Sequence, residues 1–127
     1  MASTPSYAGA PKVGMASVAT ANTGRDGTGT VGTVLTAGSD GSMISRITVQ
    51  ATATTTAGMV RLFLHDGTNH RLWREIAIAA NTVSATVAGY NSAVTLNPAL
   101  FIPTGYSLRA STNNAESINV IAEGADL

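Results

Sequence analysis

The 127-residue chain contains no cysteine, a single lysine and few charged residues of either sign. The absence of cysteine excludes a disulfide framework, thiolate metal ligands and a cysteine nucleophile. Charged residues make up 11% of the chain, against about 25% in ordinary soluble domains, and seven basic residues balance seven acidic ones. Because proteins that bind nucleic acid normally carry a basic excess, we expect no nucleic-acid partner.

The chain also lacks long apolar runs. No stretch approaches the roughly 20 residues of a membrane-spanning helix, and residues 1–5 do not begin a secretory signal. We therefore expect no membrane partner and synthesis in the cytoplasm. Weak charge repulsion favours association, so we expect partners to cover much of the surface. A Thr, Ser and Asn surface that is polar without charge is the alternative.

Helix-forming patterns are scarce as well. No segment repeats apolar residues at helical spacing over three turns, whereas short β-branched runs recur between Gly, Asn, Asp and Pro. This pattern predicts an all-β sandwich or barrel with eight to ten strands, antiparallel where connections are short. We divide the chain into an extended arm, residues 1–12, and a β-sandwich domain, residues 13–127. The arm either docks on a neighbouring subunit or is a disordered terminus.

Two of the predicted strands alternate clearly. Ile47, Val49 and Ala51 should form the core face of the strand at 43–54. At 70–79, Leu72, Arg74, Ile76 and Ile78 share the more aliphatic face, but Arg74 breaks the pattern, so we expect a bulge near Trp73. Residues 66–69 connect the predicted strand at 59–65 to the one at 70–79, and their sequence predicts a hairpin turn. The other predicted strands are 14–20, 30–36, 59–65, 82–87, 93–96, 106–111 and 117–122.

Motifs that would carry chemistry are weak. His65 and His70 flank the predicted turn without further ligands nearby, so we interpret them as exposed turn residues rather than a metal site. The glycines at residues 27–32 are spaced as in a dinucleotide-binding loop, but the required strand and helix are not predicted around them. No Gly-x-Ser-x-Gly motif occurs, and the acidic residues form no obvious catalytic pair. We predict that the chain is not an enzyme and uses no metal or other cofactor.

Arginine and tryptophan concentrate in one region. Both residue types are enriched at the centres of protein interfaces. We therefore predict an interface that includes the following residues: Tyr7, Arg25, Arg61, Arg71, Trp73 and Arg74. The alternative is structural, with Trp73 closing one end of the sandwich and the arginines paired to Glu75 and Asp66.

Several segments resemble a family of small virion structural proteins of tailed phages. The segments that carry the resemblance are Gly24-Arg25-Asp26-Gly27-Thr28-Gly29, Arg46-Ile47-Thr48-Val49-Gln50-Ala51-Thr52, Leu62-Phe63-Leu64-His65-Asp66-Gly67-Thr68-Asn69, Leu72-Trp73-Arg74-Glu75 and Ala122-Glu123-Gly124-Ala125-Asp126-Leu127. They are turn and strand residues spread over most of the chain. The resemblance implies a jelly-roll-like β-sandwich in the virion and brings no catalytic residues with it.

The resemblance implies a capsid decoration, or cement, protein made in the host cytoplasm and located on the capsid surface. Its expected partners are the major capsid protein and copies of itself, as a homotrimer. A tail or fibre component, or a receptor-binding head, is the first alternative, favoured by an exposed aromatic groove around Trp73 or Tyr90. A carbohydrate-binding module, with Trp73 and Tyr106 stacking on a sugar ring, is the second.

Overall fold

The computed structural model describes residues 9–127, which form eight strands and no helix. The strands are β1 (Ala10–Val18), β2 (Gly32–Thr36), β3 (Ser42–Ala51), β4 (Gly58–His65), β5 (His70–Ile78), β6 (Asn91–Ile102), β7 (Ser107–Thr112) and β8 (Ile118–Asp126). No helix long and apolar enough to cross a membrane occurs in this part of the chain.

The strands form two antiparallel four-stranded sheets. Sheet A has the order β1-β8-β3-β6, and sheet B has the order β2-β7-β4-β5. The first strand thus pairs with the last, the second with the seventh, the third with the sixth and the fourth with the fifth. An eight-stranded antiparallel ribbon that is wound so that successive pairs alternate between two sheets is a jelly roll. The predicted all-β, jelly-roll-like sandwich is confirmed.

The core lies between the two sheets and is aliphatic. In β3 the predicted core face is correct, because Ile47, Val49 and Ala51 are buried while Arg46 is exposed. The interior is built mainly from the following fully buried side chains of both sheets: Ile44, Ile47, Val49, Val60, Leu62, Leu108, Ile118 and Val120. Alternation of residues along each strand places these side chains on the facing surfaces of the sheets.

The sheets begin earlier in the chain than predicted. Strand β1 starts at Ala10, so residues 10–12, which we assigned to the arm, pair with β8. Lys12 Nζ lies 2.8 Å from Asp126 Oδ1 and also donates to the backbone oxygen of Thr36 in β2. This lysine therefore links sheet A to sheet B. The rest of the predicted arm, including Tyr7, lies outside the described residues.

Strand β5 contains the predicted bulge. Leu62 of β4 pairs with Arg74, and the next residue, Phe63, pairs with Leu72, so Trp73 is the extra residue between them. An extra residue in one strand shifts the alternation of its side chains and bends the strand locally. The bulge near Trp73 is confirmed.

The bulge exchanges two side chains between the faces of sheet B. Trp73 packs against the core, whereas Leu72 lies beside Phe63, which is buried outside the main core cluster. The prediction that Leu72 shares the core face with Ile76 is wrong for Leu72. A one-residue shift in alternation is sufficient to move a side chain to the opposite face.

The region between β5 and β6 differs most from prediction. Residues 82–87 form only an isolated bridge between Ser84 and Val87 instead of a strand. Strand β6 is longer than the predicted residues 93–96 and includes the apolar segment around Phe101. Its pairing with β3 jumps from Thr95 to Leu100, so residues 96–99 bulge out of the ladder. Because β6 is an edge strand, it can accommodate Pro98 there.

Candidate interaction surfaces

Arg61 lies at the centre of a buried polar network on the outer side of sheet B. Its side chain is only 5% exposed. Its Nε donates to Glu75 Oε2 at 2.9 Å, and one terminal nitrogen donates to the Asn22 backbone oxygen and to Asn113 Oδ1. These bonds satisfy the guanidinium inside the chain. Arg61 therefore has a structural role within the chain, and its place in an interface stays a prediction.

Glu75 also binds a second arginine. Arg25 Nε donates to Glu75 Oε2 at 2.9 Å, and its side chain remains largely exposed. The hydrogen bond from Arg25, followed by that from Arg61, holds the pKa of Glu75 below its usual value. The alternative interpretation, in which the arginines pair with Glu75, is therefore correct for Arg25 and Arg61. Asp66, in contrast, accepts hydrogen bonds from the backbone of residues 68 and 69 in the hairpin turn.

The long connection between β1 and β2 covers this side of sheet B. Asn22 is buried, and its side chain holds the connection together through the backbone oxygens of Thr28 and Thr30. Gly27 lies directly against the ring of His70, which in turn meets Phe63 edge-on. Phe63, although on the outward side of its strand, is completely buried. The chain's own residues 19–31 therefore cover the part of the outer face of sheet B around Arg61 and Phe63.

The two histidine rings lie against each other at a tilt of 50° at the β4–β5 turn. Their ring centroids lie 4.4 Å apart, and Nε2 of His70 lies 3.5 Å from a terminal nitrogen of Arg109. Burial, with smaller contributions from His65 and Arg109, lowers the pKa of His70. Among residues 9–127, no group of three or more His, Cys, Asp or Glu side chains is placed to hold a metal ion. Both histidines flank the turn, but they are partly buried rather than exposed, because His70 packs between Phe63 and Gly27.

Trp73 and Arg74 line a groove at one side of the sandwich, between edge strands β5 and β6. The groove has a volume of about 380 Å³, and its opposite wall is formed by residues 95–100 of β6. The Arg74 guanidinium carbon lies 5.2 Å from the centre of the Trp73 ring, which is within cation–π distance. We call this feature the Trp73 groove. It joins the bulge of β5 to the irregular part of β6.

The other predicted aromatic partners do not line the Trp73 groove. Tyr106 packs against the core, and the Tyr90 hydroxyl donates to the Ala77 backbone oxygen. Arg71 is exposed and donates to the neighbouring backbone oxygen of His70. The structure thus brings together Trp73 and Arg74 on one side and Arg25 and Arg61 on another. Arg71 joins neither group.

The outer face of sheet A is open and carries exposed apolar side chains together with uncharged polar ones. Met15 is 71% exposed, Val13 is 58% exposed and Phe101 is 52% exposed. Strand register arranges this face in four rows across β1, β8, β3 and β6: Pro11–Ala125–Met43–Phe101, Val13–Glu123–Arg46–Thr95, Met15–Ile121–Thr48–Ala93 and Ser17–Asn119–Gln50–Asn91. We call these sixteen residues the sheet A face. It contains only one acidic and one basic residue.

Sequence reasoning did not single out the sheet A face. Its apolar residues in β1 alternate with Gly14 and Ala16, so both sides of the strand look weakly apolar. The available signal was that Val13 and Met15, the larger residues, lie on the side opposite Val18.

Comparisons with protein-family models, with curated protein sequences and with solved structures found no match to this chain.

Proposed function

We propose that this chain is a structural protein of a tailed-phage virion, a capsid decoration protein that stabilises the head by bridging capsid subunits. One observation carries the proposal, namely the open sheet A face on a sandwich whose opposite face is partly covered by its own loop. Exposed apolar patches of this kind mark protein interaction sites. The near absence of charge on the face also favours contact with another protein.

The proposed mechanism is mechanical. Packaged DNA presses the capsid subunits apart, and a protein bound across their junctions opposes that pressure through the surface area it buries. Its partners are the major capsid protein and copies of itself, arranged as a homotrimer on the capsid surface. The jelly roll is compatible with this role because it occurs in many viral capsid domains, although it also occurs in lectins.

A bridging protein needs at least two separate surfaces. The sheet A face lies on the outside of one sheet, whereas the Trp73 groove lies at the side of the sandwich between β5 and β6. Trp and Arg are the residue types that most often dominate binding energy at interfaces. The Trp73 groove is therefore the surface that we propose for contact with the major capsid protein.

Copy number in purified virions of the phage that encodes the chain tests the proposal. We expect quantitative mass spectrometry to find copies in proportion to the major capsid protein. Virions that lack the chain should assemble but release DNA at lower temperature than the wild type. A handful of copies per particle, in fractions that contain tails, would contradict decoration and support the tail alternative.

The Trp73 groove supports a second candidate, a receptor- or carbohydrate-binding module of the tail or fibre. Its volume is in the range of small-ligand sites, and Trp73 supplies an aromatic surface. Arg74, however, lies over that ring. Binding to a glycan array that is lost in W73A but kept in R71A would favour this candidate. Equal signals from the two variants would contradict it.

A further inference from the structure

We propose that copies of this chain bind one another through the sheet A face, the β1–β8 half of one copy against the β3–β6 half of the next. The inference rests on the proposed function, since it names the partner that occupies the surface on which that function depends. Charge, shape and strand register each support a second copy of the chain as the occupant.

Charge divides the face into two complementary halves. Glu123 of β8 and Arg46 of β3 lie opposite each other in the register of the two central strands. Both are exposed, and neither takes part in an ion pair within residues 9–127. The β1–β8 half therefore carries one negative charge and the β3–β6 half one positive charge. Complementary charges across a contact fix its orientation and disfavour wrong partners.

Shape divides the face in the same way. The β1–β8 half has a shallow depression of about 190 Å³ beside Met15 and Ile121. A second depression, of about 370 Å³, is lined by residues 9–11 and by Gly124 and Ala125. The β3–β6 half instead presents the exposed ring of Phe101 on its edge strand. One half thus offers apolar hollows and the other offers an aromatic side chain to fill one of them.

Strand register places the two members of each complementary pair at the same position along the strands. Phe101 lies in the same row as Pro11 and Ala125, and Arg46 lies in the same row as Glu123. A rotation axis parallel to the strands leaves height along the strands unchanged. About such an axis, Phe101 would lie level with the second depression of the next copy, and Arg46 would lie level with its Glu123. In the proposed homotrimer, three copies would close a ring in which every face uses both of its halves.

The mass of the purified protein, measured by light scattering after size-exclusion chromatography, tests this inference. We expect the wild type to have the mass of an assembly, three chains for the proposed homotrimer, and M15D and F101D to have the mass of one. A mass of two chains that is lost in both variants would support the contact and contradict the homotrimer. An acidic side chain at either position would have to lose its hydration inside the contact. V87D is the matched control, because Val87 is 46% exposed in the connection between β5 and β6, outside the face. It should keep the wild-type mass.

A charge exchange tests the pairing directly. R46E and E123R should each weaken association by about tenfold or more, whereas the double variant R46E/E123R should restore it. Circular dichroism and thermal unfolding establish that each single variant is folded. A wild type with the mass of one chain, or an assembly that persists in M15D and F101D, overturns the inference. Single-chain protein that still binds capsids lacking it would leave the proposed function intact while this inference fails.

Discussion

Arg61 shows how one residue can look like an interface residue in the sequence and act as a structural residue in the fold. It lies on the outward side of β4, where alternation exposes a side chain to solvent. The chain between β1 and β2 then folds over it, and Asn22 accepts one of its hydrogen bonds. Contacts this distant in sequence leave no local pattern. That is why the burial of Arg61 was not predictable while the core positions of β3 were.

We expect R61A to lower the free energy of unfolding by about 1–3 kcal/mol, since it leaves the buried Asn22 carbonyl without its donor. R71A is the matched control and should change stability by about 0.5 kcal/mol or less, because Arg71 is exposed. Urea denaturation of both variants measures the difference. Equal losses in the two variants would mean that the hydrogen bonds of Arg61 do not contribute to the stability of the fold.

The β1–β2 connection is the element that distinguishes the two outer faces of the sandwich. Its fit depends on Gly27, which has φ of +87° and lies where a Cβ atom would overlap the side chain of His70. Gly105 also has φ of +87° but has open space around the same position. Substitutions at these two positions therefore distinguish the free-energy cost of backbone strain alone from the cost of strain together with a steric clash.

Replacing each glycine by alanine should give different losses of stability. G105A should cost about 1–2 kcal/mol, the usual penalty for a left-handed backbone at a residue with a Cβ atom. G27A should cost clearly more, because the connection must also move away from His70 and expose part of Phe63. Thermal unfolding measures both variants. If G27A is no worse than G105A, the connection is too loosely packed to act as a cover.

Edge strands and connections account for most of the errors in element prediction. Residues 82–87 are rich in β-branched side chains, but strand formation also needs a neighbouring strand, and only Ser84 and Val87 find a partner there. The bulge at Trp73 was predictable because Arg74 interrupted an otherwise regular alternation. The sheet A face was not, because exposed and buried positions of β1 are both filled by small or apolar residues.

At the scale of the whole molecule, acid should destabilise the fold in two stages. Burial lowers the pKa of His70 from 6.5, so the unfolded chain takes up this proton first and stability falls as the pH drops below about 6.5. The pKa values of Glu75 and Asp126 are also lowered, by hydrogen bonds from Arg25 and Lys12 respectively. Stability therefore falls again below about pH 4.5, as the unfolded chain protonates these carboxylates.

Unfolding free energies measured between pH 3 and pH 8 test this dependence. H70Q should abolish the first stage and leave the second, because glutamine does not titrate. A wild-type stability that is constant between pH 7 and pH 5 would contradict the predicted role of His70. A profile that is unchanged by H70Q would assign the first stage to another group.

The pairing of β1 with β8 and of β8 with β3 also has a consequence for synthesis on the ribosome. Strand β8 is the last of the eight to be made, yet it occupies a central position in sheet A. Until Ile118–Asp126 has left the exit tunnel, β1 has no partner in its sheet and β3 can pair on one side only. A nascent chain therefore carries unpaired strand edges for most of its translation, and such edges promote aggregation. Conditions that slow translation of the last two strands should lower the soluble yield more than conditions that slow translation of the first two.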